Sequence, residues 1–199
     1  MWTANRRRVA PTLTGERLIL RPLCEEDVRR LGRWRDNPSP LLWGYNYGSL
    51  SPGERETWLY TKQHGRNLYF AVDAPEAPLV GYLGAKRINR FTRSALFGIV
   101  FSPDGQSKGY GTEAMALFLD FYFRRLAMRR LELEVNQFNT RAMALYRSFG
   151  FQIVAEKEEV FENQALDFSD PLLVDARAYF TRRQATWYSK LWVMRKEKR

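Results

Sequence analysis

The chain predicts a single α+β layered domain built around a largely antiparallel sheet. Three observations lead there. Short alternating β-rich runs are interleaved with helical runs along the whole length, so both kinds of element must share one core. Two of the joins between strands, Asp73–Pro78 (DAPEAP) and Asn89–Arg93 (NRFTR), are short enough for hairpins, which make antiparallel neighbours. The 199 residues, 45% of them apolar, suffice for one full core and are short for two, and no repeat or low-complexity linker divides them.

Taken in order, Glu16–Leu23 (ERLILRPL) alternates and reads as a strand closed by Pro22. Cys24–Asp36 opens on Glu25, Glu26 and Asp27, acids suited to the positive end of a helix, and carries Val28, Leu31 and Trp34 at helical spacing before Asn37-Pro38. The aromatic, glycine-broken Leu41–Leu50 (LLWGYNYGSL) is a loop. Ser51-Pro52 with Glu54 places a capping serine and a first-turn proline at the start of a helix that runs to about His64. Strands follow at Leu68–Val72, Leu79–Arg87 and Ser94–Phe101. Thr112–Ala127, apolar on nearly every face, is a helix packed on more than one side. Leu131–Asn136 is a strand, Thr140–Phe149 a helix ended by Gly150, and Phe151–Phe161 another strand. In the insertion 162–185, Asp170-Pro171 followed by Leu172, Leu173, Ala176, Tyr179 and Phe180 predicts a helix over about 171–182. That helix would cover the acceptor side of a site or make a homodimer contact. Thr186–Met194 is the last strand.

The net charge of +10 sits at the ends of the chain. Residues 1–22 hold five Arg against Glu16, residues 182–199 hold seven Lys and Arg against Glu197, and the stretch between is balanced. Basic flanks at 1–13 and 195–199 suit docking on a ribosome, on nucleic acid or on anionic lipid, or act only as solubilising ends. A single cysteine, Cys24, excludes an internal disulfide and a cysteine metal cluster. No apolar run approaches the ~20 residues of a membrane span, and no apolar segment follows the Arg6–Arg8 triplet as a signal peptide would require. The expectation is therefore a cytoplasmic protein with no bound metal and no membrane partner.

Gln106–Thr112 (QSKGYGT) lies between a strand and a helix. There the N–H groups of Ser107 to Thr112 form an anion site, helped by the missing Cβ atoms of Gly109 and Gly111 and the charge of Lys108. The spacing matches neither a Walker loop nor a dinucleotide fingerprint. Downstream, EVNQFNTRAMALYRSFGF carries Asn139, Tyr146 seven residues later, and Gly150-Phe151. Together with QSKGYG and the element order, this resembles the GNAT superfamily of acetyl-CoA-dependent N-acetyltransferases. The opening, LTGERLILRPLCEEDV, is similar to the branch of ribosomal-protein N-terminal and spermidine acetyltransferases.

The resemblance implies a sheet of about seven strands that splays between the fourth and fifth, with pantetheine in the gap. Ile99, Val100 and Phe101 would pair with pantetheine through main-chain groups. Gln106, Ser107, Lys108, Gly109, Tyr110, Gly111 and Thr112 would hold the pyrophosphate, and Asn139 would contact the cofactor while also fitting a helix N-cap. Tyr146 matches the family's general acid, and Glu134 stands where ribosomal-protein acetyltransferases carry a base. Glu132 and Glu134 also fit the polar face of a strand. ALFGIVF excludes a carboxylate on the fourth strand. Trp43, Tyr45 and Tyr47 fall where relatives build the acceptor pocket, whereas His64 and Cys24 read as structural. The expected acceptor is a primary amine, with a protein N-terminal α-amine first and a polyamine next. A polycation would want acids in 37–70, where only Glu54 and Glu56 occur. The alternative from another class is a non-catalytic acyl-CoA-binding module docking on ribosome or nucleic acid.

Overall fold

The computed structural model describes residues 10–198. The N-terminal part of the basic flank, residues 1–9, and Arg199 lie outside it.

Alternation along the third strand shows how the layers form. In β3 (Leu68–Ala74), Leu68, Phe70 and Val72 enter one core, while Tyr69 and Ala71 enter a second on the opposite face. β3 pairs antiparallel with β4 (Ala77–Asn89), which pairs antiparallel with β5 (Ser94–Phe101), so both predicted hairpins form. The predicted first strand is observed as the shorter β2 (Ile19–Pro22), which pairs with β3, and a two-residue strand that was not predicted, β1 (Leu13–Thr14), precedes it and folds back on it. Beyond β5 come β6 (Arg130–Asn136), the long β9 (Thr186–Glu197) and β7 (Gln152–Val160) at the edge. Every pairing is antiparallel except β5 with β6. β9 reaches Glu197, with Arg195 bonded to Glu132 and Glu197 to Arg130, so most of the C-terminal basic flank is sheet.

α1 (Glu25–Leu31) and α2 (Pro52–Gln63) cover the smaller core, with Leu23, Leu31, Tyr47, Leu59 and Tyr82. The Ser51–Glu54 capping box opens α2 as its sequence predicts. α1 is shorter than predicted. It stops at Gly32, and the indole of Trp34 donates instead to the Leu79 carbonyl at 2.9 Å. Fully buried Asp27 ties the start of α1 to the sheet by accepting two bonds from Arg21, which also holds Asp73.

The larger core holds α3 (Tyr110–Asp120), with Met115 and Phe118 fully buried, and α4 (Thr140–Ser148). After Asp120 the helix widens into a π-helical turn, Phe121–Arg125. The turn lets three consecutive aromatics, Phe121, Tyr122 and Phe123, all reach the interior.

The insertion departs from its predicted helix. It forms turns, a 3-10 segment at Val174–Tyr179 and a short strand, β8 (Phe180–Arg183), that makes a hairpin with β9. Leu173, Ala176 and Phe180 are buried with Phe161, Leu166 and Trp187 in a third core, while Leu172 and Val174 face outward. Spacing of three serves a 3-10 turn as well as an α-helix, and the strand pairing decides between them. Leu41 and Phe138 complete this core, so the segment buttresses the loop before α2 without leaving an apolar helical face in need of a partner.

Candidate active site

The parallel pairing of β5 with β6 lasts only from Ser94 to Leu96, opposite Arg130 to Glu132. Beyond it the two strands diverge and open the middle of the sheet. A cavity of about 890 Å³ runs through this gap, from the loop before α3 to the far wall formed by Leu41, Tyr45, Lys62, Tyr69 and Tyr82. Ile99, Val100 and Phe101 line it on β5, and Glu134, Asn136, Asn139 and Tyr146 line the other side. At Gly98 an added Cβ would meet only the Tyr69 hydroxyl, at 3.9 Å, so this strand position is open to the cavity.

At the loop, the N–H groups of Ser107, Lys108, Gly109, Tyr110 and Gly111 find no acceptor among the described residues. Thr112, expected to join them, is already bonded to the Gly109 carbonyl at 3.1 Å. Five unpaired donors in sequence, at the positive end of α3, fit a pyrophosphate. The glycines serve different ends. Gly109 has φ +79°, a left-handed conformation that a side chain resists. Gly111 has an ordinary backbone, and its absent Cβ instead lets Leu145 of α4 come close, 3.2 Å from where that Cβ would lie. The Lys108 ammonium bonds Glu76 at 2.8 Å, so its charge is shared with a carboxylate rather than free at the loop. Glu76 also accepts from the Tyr110 hydroxyl, and these two bonds hold its carboxyl down at about 2. Arg141 supplies a cation that the sequence reading missed: it donates to Gln106 Oε1 at 3.0 Å and borders the cavity.

Asn139 caps α4, its Oδ1 accepting from the Ala142 N–H at 3.1 Å. About two turns further on, Tyr146 is buried, and its hydroxyl has no hydrogen-bond partner among the described residues. Burial, with the Tyr45 phenol adding to it, pushes the Tyr146 phenol well above its ordinary range, so it stays protonated at neutral pH. Glu134 lies on the polar face of its strand, as its alternation implies. It bonds Lys157 at 2.7 Å on the strand's polar face and also borders the cavity.

The aromatic loop divides. Tyr45 lines the cavity, Tyr47 is core and bonds Tyr82, and Trp43 is exposed. His64 ends α2 with its ring stacked on Tyr60, and Cys24 occupies the N-cap of α1, as structural roles require. Three further lining residues escaped the sequence. Glu162 brings a carboxylate from the insertion, beside Gly44. Asn136 presents a buried Oδ1 with no partner among the described residues, an acceptor waiting for a donor. Lys62 places its ammonium among aromatic rings: 4.5 Å from the Tyr69 centroid, 5.6 Å from Tyr82 and 5.9 Å from Trp58. Glu54 and Glu56 do not line the cavity, so a search for acids within 37–70 looked in the wrong segment.

A splayed sheet with an anion loop on one side of the gap and a buried tyrosine on the other is the architecture of an acyl-CoA-dependent transferase. Residues 17–152 match the acetyltransferase (GNAT) domain family, and the chain belongs to that family. It is 33% identical over 141 residues to the spermidine N(1)-acetyltransferase of Escherichia coli K12, covering 69% of this chain and 74% of that one. A GCN5-related N-acetyltransferase from Brucella melitensis superposes with a TM-score of 0.69 at 19% identity, covering 98% of this chain and 82% of that one. An acetyltransferase of the GNAT family from Bacillus anthracis gives 0.67 at 16% identity, covering 94% and 98%. The chain is thus an N-acetyltransferase of a family that uses acetyl-CoA as cosubstrate. Among the described residues no helix is long and apolar enough to cross a membrane.

Proposed function

We propose that the whole chain is one acetyltransferase domain that moves an acetyl group from acetyl-CoA to a primary amine of a short polyamine such as spermidine. The observation that carries the acceptor class is the lining of the cavity. Glu134 and Glu162 and the rings of Tyr45, Tyr69 and Tyr82 line one space, which continues to Ser107, Gly109, Tyr110 and Gly111 with their free N–H groups. Carboxylates and π-faces are what an alkylammonium chain needs. The 33% identity to a spermidine N(1)-acetyltransferase supports the same choice over a protein α-amine.

Acetyl-CoA supplies the activated acyl group as a thioester. In this reading the N–H groups of Ser107, Lys108, Gly109, Tyr110 and Gly111 hold the pyrophosphate, with Gln106, Thr112 and Asn139 around it. Main-chain groups of Ile99, Val100 and Phe101 orient the pantetheine. Glu134 removes a proton from the acceptor ammonium through a water, and the neutral nitrogen attacks the thioester carbonyl. As the C–N bond forms the nitrogen sheds its second proton to solvent, and as the C–S bond breaks Tyr146 gives its hydroxyl proton to the departing sulfur. Solvent then returns one proton to Tyr146 and takes one from Glu134. Asn136 Oδ1 accepts a hydrogen bond from the acceptor amine, which satisfies its lone buried oxygen.

A screen of acetyl transfer to spermidine, spermine, peptides with free N-termini and aminoglycosides tests this. Saturable turnover with the polyamines is expected. Turnover confined to peptides would return the assignment to a protein α-amine, and acetyl-CoA binding with no turnover would leave a non-catalytic module.

A further inference from the structure

We propose that Lys62 is a self-acetylation site: its amine takes an acetyl group from acetyl-CoA bound in the same cavity, removing a positive charge from the acceptor wall. Seven lysines occur in the chain, and Lys62 is set apart from the others by its surroundings. Lys108 and Lys157 are paired with carboxylates, Lys190 donates to a carbonyl, and Lys86, which also borders the cavity, is exposed. Lys62 makes no hydrogen bond or ion pair among the described residues and is half-buried over three aromatic faces. The cage is therefore occupied by an ammonium of the protein itself, in the place where the proposed reading would seat one from the acceptor.

Position favours reaction. Tyr69 touches both the amine and the splayed strand: its ring centroid is 4.5 Å from the Lys62 nitrogen, and its hydroxyl is 3.9 Å from where a Gly98 Cβ would lie. Gly98 adjoins Ile99–Phe101, the stretch read as orienting the pantetheine. One tyrosine ring thus separates this amine from the splayed strand, and a lysine side chain has four methylenes with which to swing across it. The groups facing Lys62 are Trp58 from α2, Tyr69 from β3, and Tyr82 and Lys86 from β4, and none is a carboxylate. Burial first, and the Lys86 charge second, bring the ammonium down to about 8, so a useful share is neutral and nucleophilic near neutral pH.

The transfer balances without a further reactant. The Lys62 nitrogen, neutral after losing a proton to solvent, attacks the thioester carbonyl, and the C–N bond forms as the C–S bond breaks. The nitrogen sheds its second proton to solvent, and the coenzyme A thiolate takes one from Tyr146, which solvent then reprotonates. The product is an uncharged amide over the aromatic faces. Resting on the polyamine reading, the consequence is weaker repulsion of a polycationic acceptor.

The full chain is incubated with isotopically labelled acetyl-CoA and no acceptor, then digested and mapped by mass spectrometry. Spermidine turnover is measured in parallel. Expected is labelling of Lys62 at least about tenfold faster than of any other lysine, as an amine held beside the acyl group requires. The rate should be independent of protein concentration, slowed in Tyr146→Phe and competed by free coenzyme A. Polyamine turnover with Lys62 unlabelled, or labelling spread evenly over the lysines, overturns the inference and leaves the polyamine reading standing. Labelled Lys62 without polyamine turnover does the reverse. In Lys62→Arg, which keeps the charge, labelling must vanish while acetyl-CoA affinity is kept. The map of the parent chain decides alone if that variant does not fold.

Discussion

Replacing Gly109 with Val separates the loop's conformation from its packing. Gly109 has φ +79° and ψ 0°, and the nearest atom to an added Cβ is Arg17 Nη2 at 3.4 Å, so there is room for a side chain but not the backbone for one. The left-handed conformation costs an L-residue about 1–2 kcal/mol, and more when the side chain is β-branched. The loop can relieve that strain only by rotating the peptides on either side, which re-aims the N–H groups of Gly109 and Tyr110. A hydrogen bond to a charged acceptor is worth about 1.5–3 kcal/mol, so misplacing one weakens acetyl-CoA by about tenfold and misplacing two by about a hundredfold or more. Gly111→Ala is the control. Its Cβ would lie 3.2 Å from the flexible end of Leu145, and its N–H is retained, so it should cost some stability and little affinity. Calorimetric titration with acetyl-CoA, alongside thermal melts, reads both. A folded Gly109→Val that binds acetyl-CoA with parent affinity would refute the assignment of these donors to the pyrophosphate.

Tyr146→Phe keeps the ring in its packing and should lower kcat by roughly 10²–10⁴-fold with acetyl-CoA affinity nearly unchanged; a parent-like kcat would make Tyr146 packing alone. Glu134→Gln should slow turnover near neutral pH and recover part of it at higher pH, where more acceptor amine is already neutral; a loss constant across the pH–rate profile argues against a base. Phe180→Ala should loosen the insertion's core and raise KM for the amine through the Leu41 loop, leaving acetyl-CoA affinity intact on titration. Asp27→Asn should cost about 3 kcal/mol in a denaturant melt, because Arg21 keeps only Asp73. Burial would raise the Asp27 carboxyl, but hydrogen bonds from Arg21 and the Cys24 N–H outweigh it and hold it below its ordinary value. Its contribution is therefore complete above the usual carboxylate range and fades as pH falls through the depressed value, and the variant's stability should be flatter with pH there.

What could be read from the sequence was local. Ser51 and Glu54, Asn139, and the two hairpin joins announce themselves because cap and turn chemistry involves residues a few positions apart. The anion loop was legible for the same reason, although nothing in Gly109 and Gly111 distinguishes a glycine needed for its φ from one needed for close packing. The rest of the cavity's lining was not legible. Lys62, Asn136 and Glu162 come from three segments, and no local pattern marks a lysine that the fold will place over Tyr69 and Tyr82. Counting acids in 37–70 against a polyamine failed because the cavity's carboxylates arrive on β6 and from the insertion. The insertion itself was misread because Leu173, Ala176 and Phe180 suit two helical forms, and β9 was long enough to recruit the last of them as a strand.

The parting of β5 and β6 after Leu96 gives this sheet an edge in its interior. Exposed edges ordinarily invite other chains, and proteins blunt them with charges, bulges or covering loops. This one is recessed between two halves of the same sheet, where another protein's strand could not lie flat, and a slender amide-bearing ligand could. Such a ligand would act as a missing strand, restoring backbone pairing that the polypeptide leaves open. Occupancy would then be read out as rigidity: at ligand concentrations a hundredfold above the dissociation constant, mass action alone adds about 2.7 kcal/mol to the folded state. The two halves of the sheet, joined by the chain itself only from Ser94 to Leu96, would be paired along the gap only while the cosubstrate is in place.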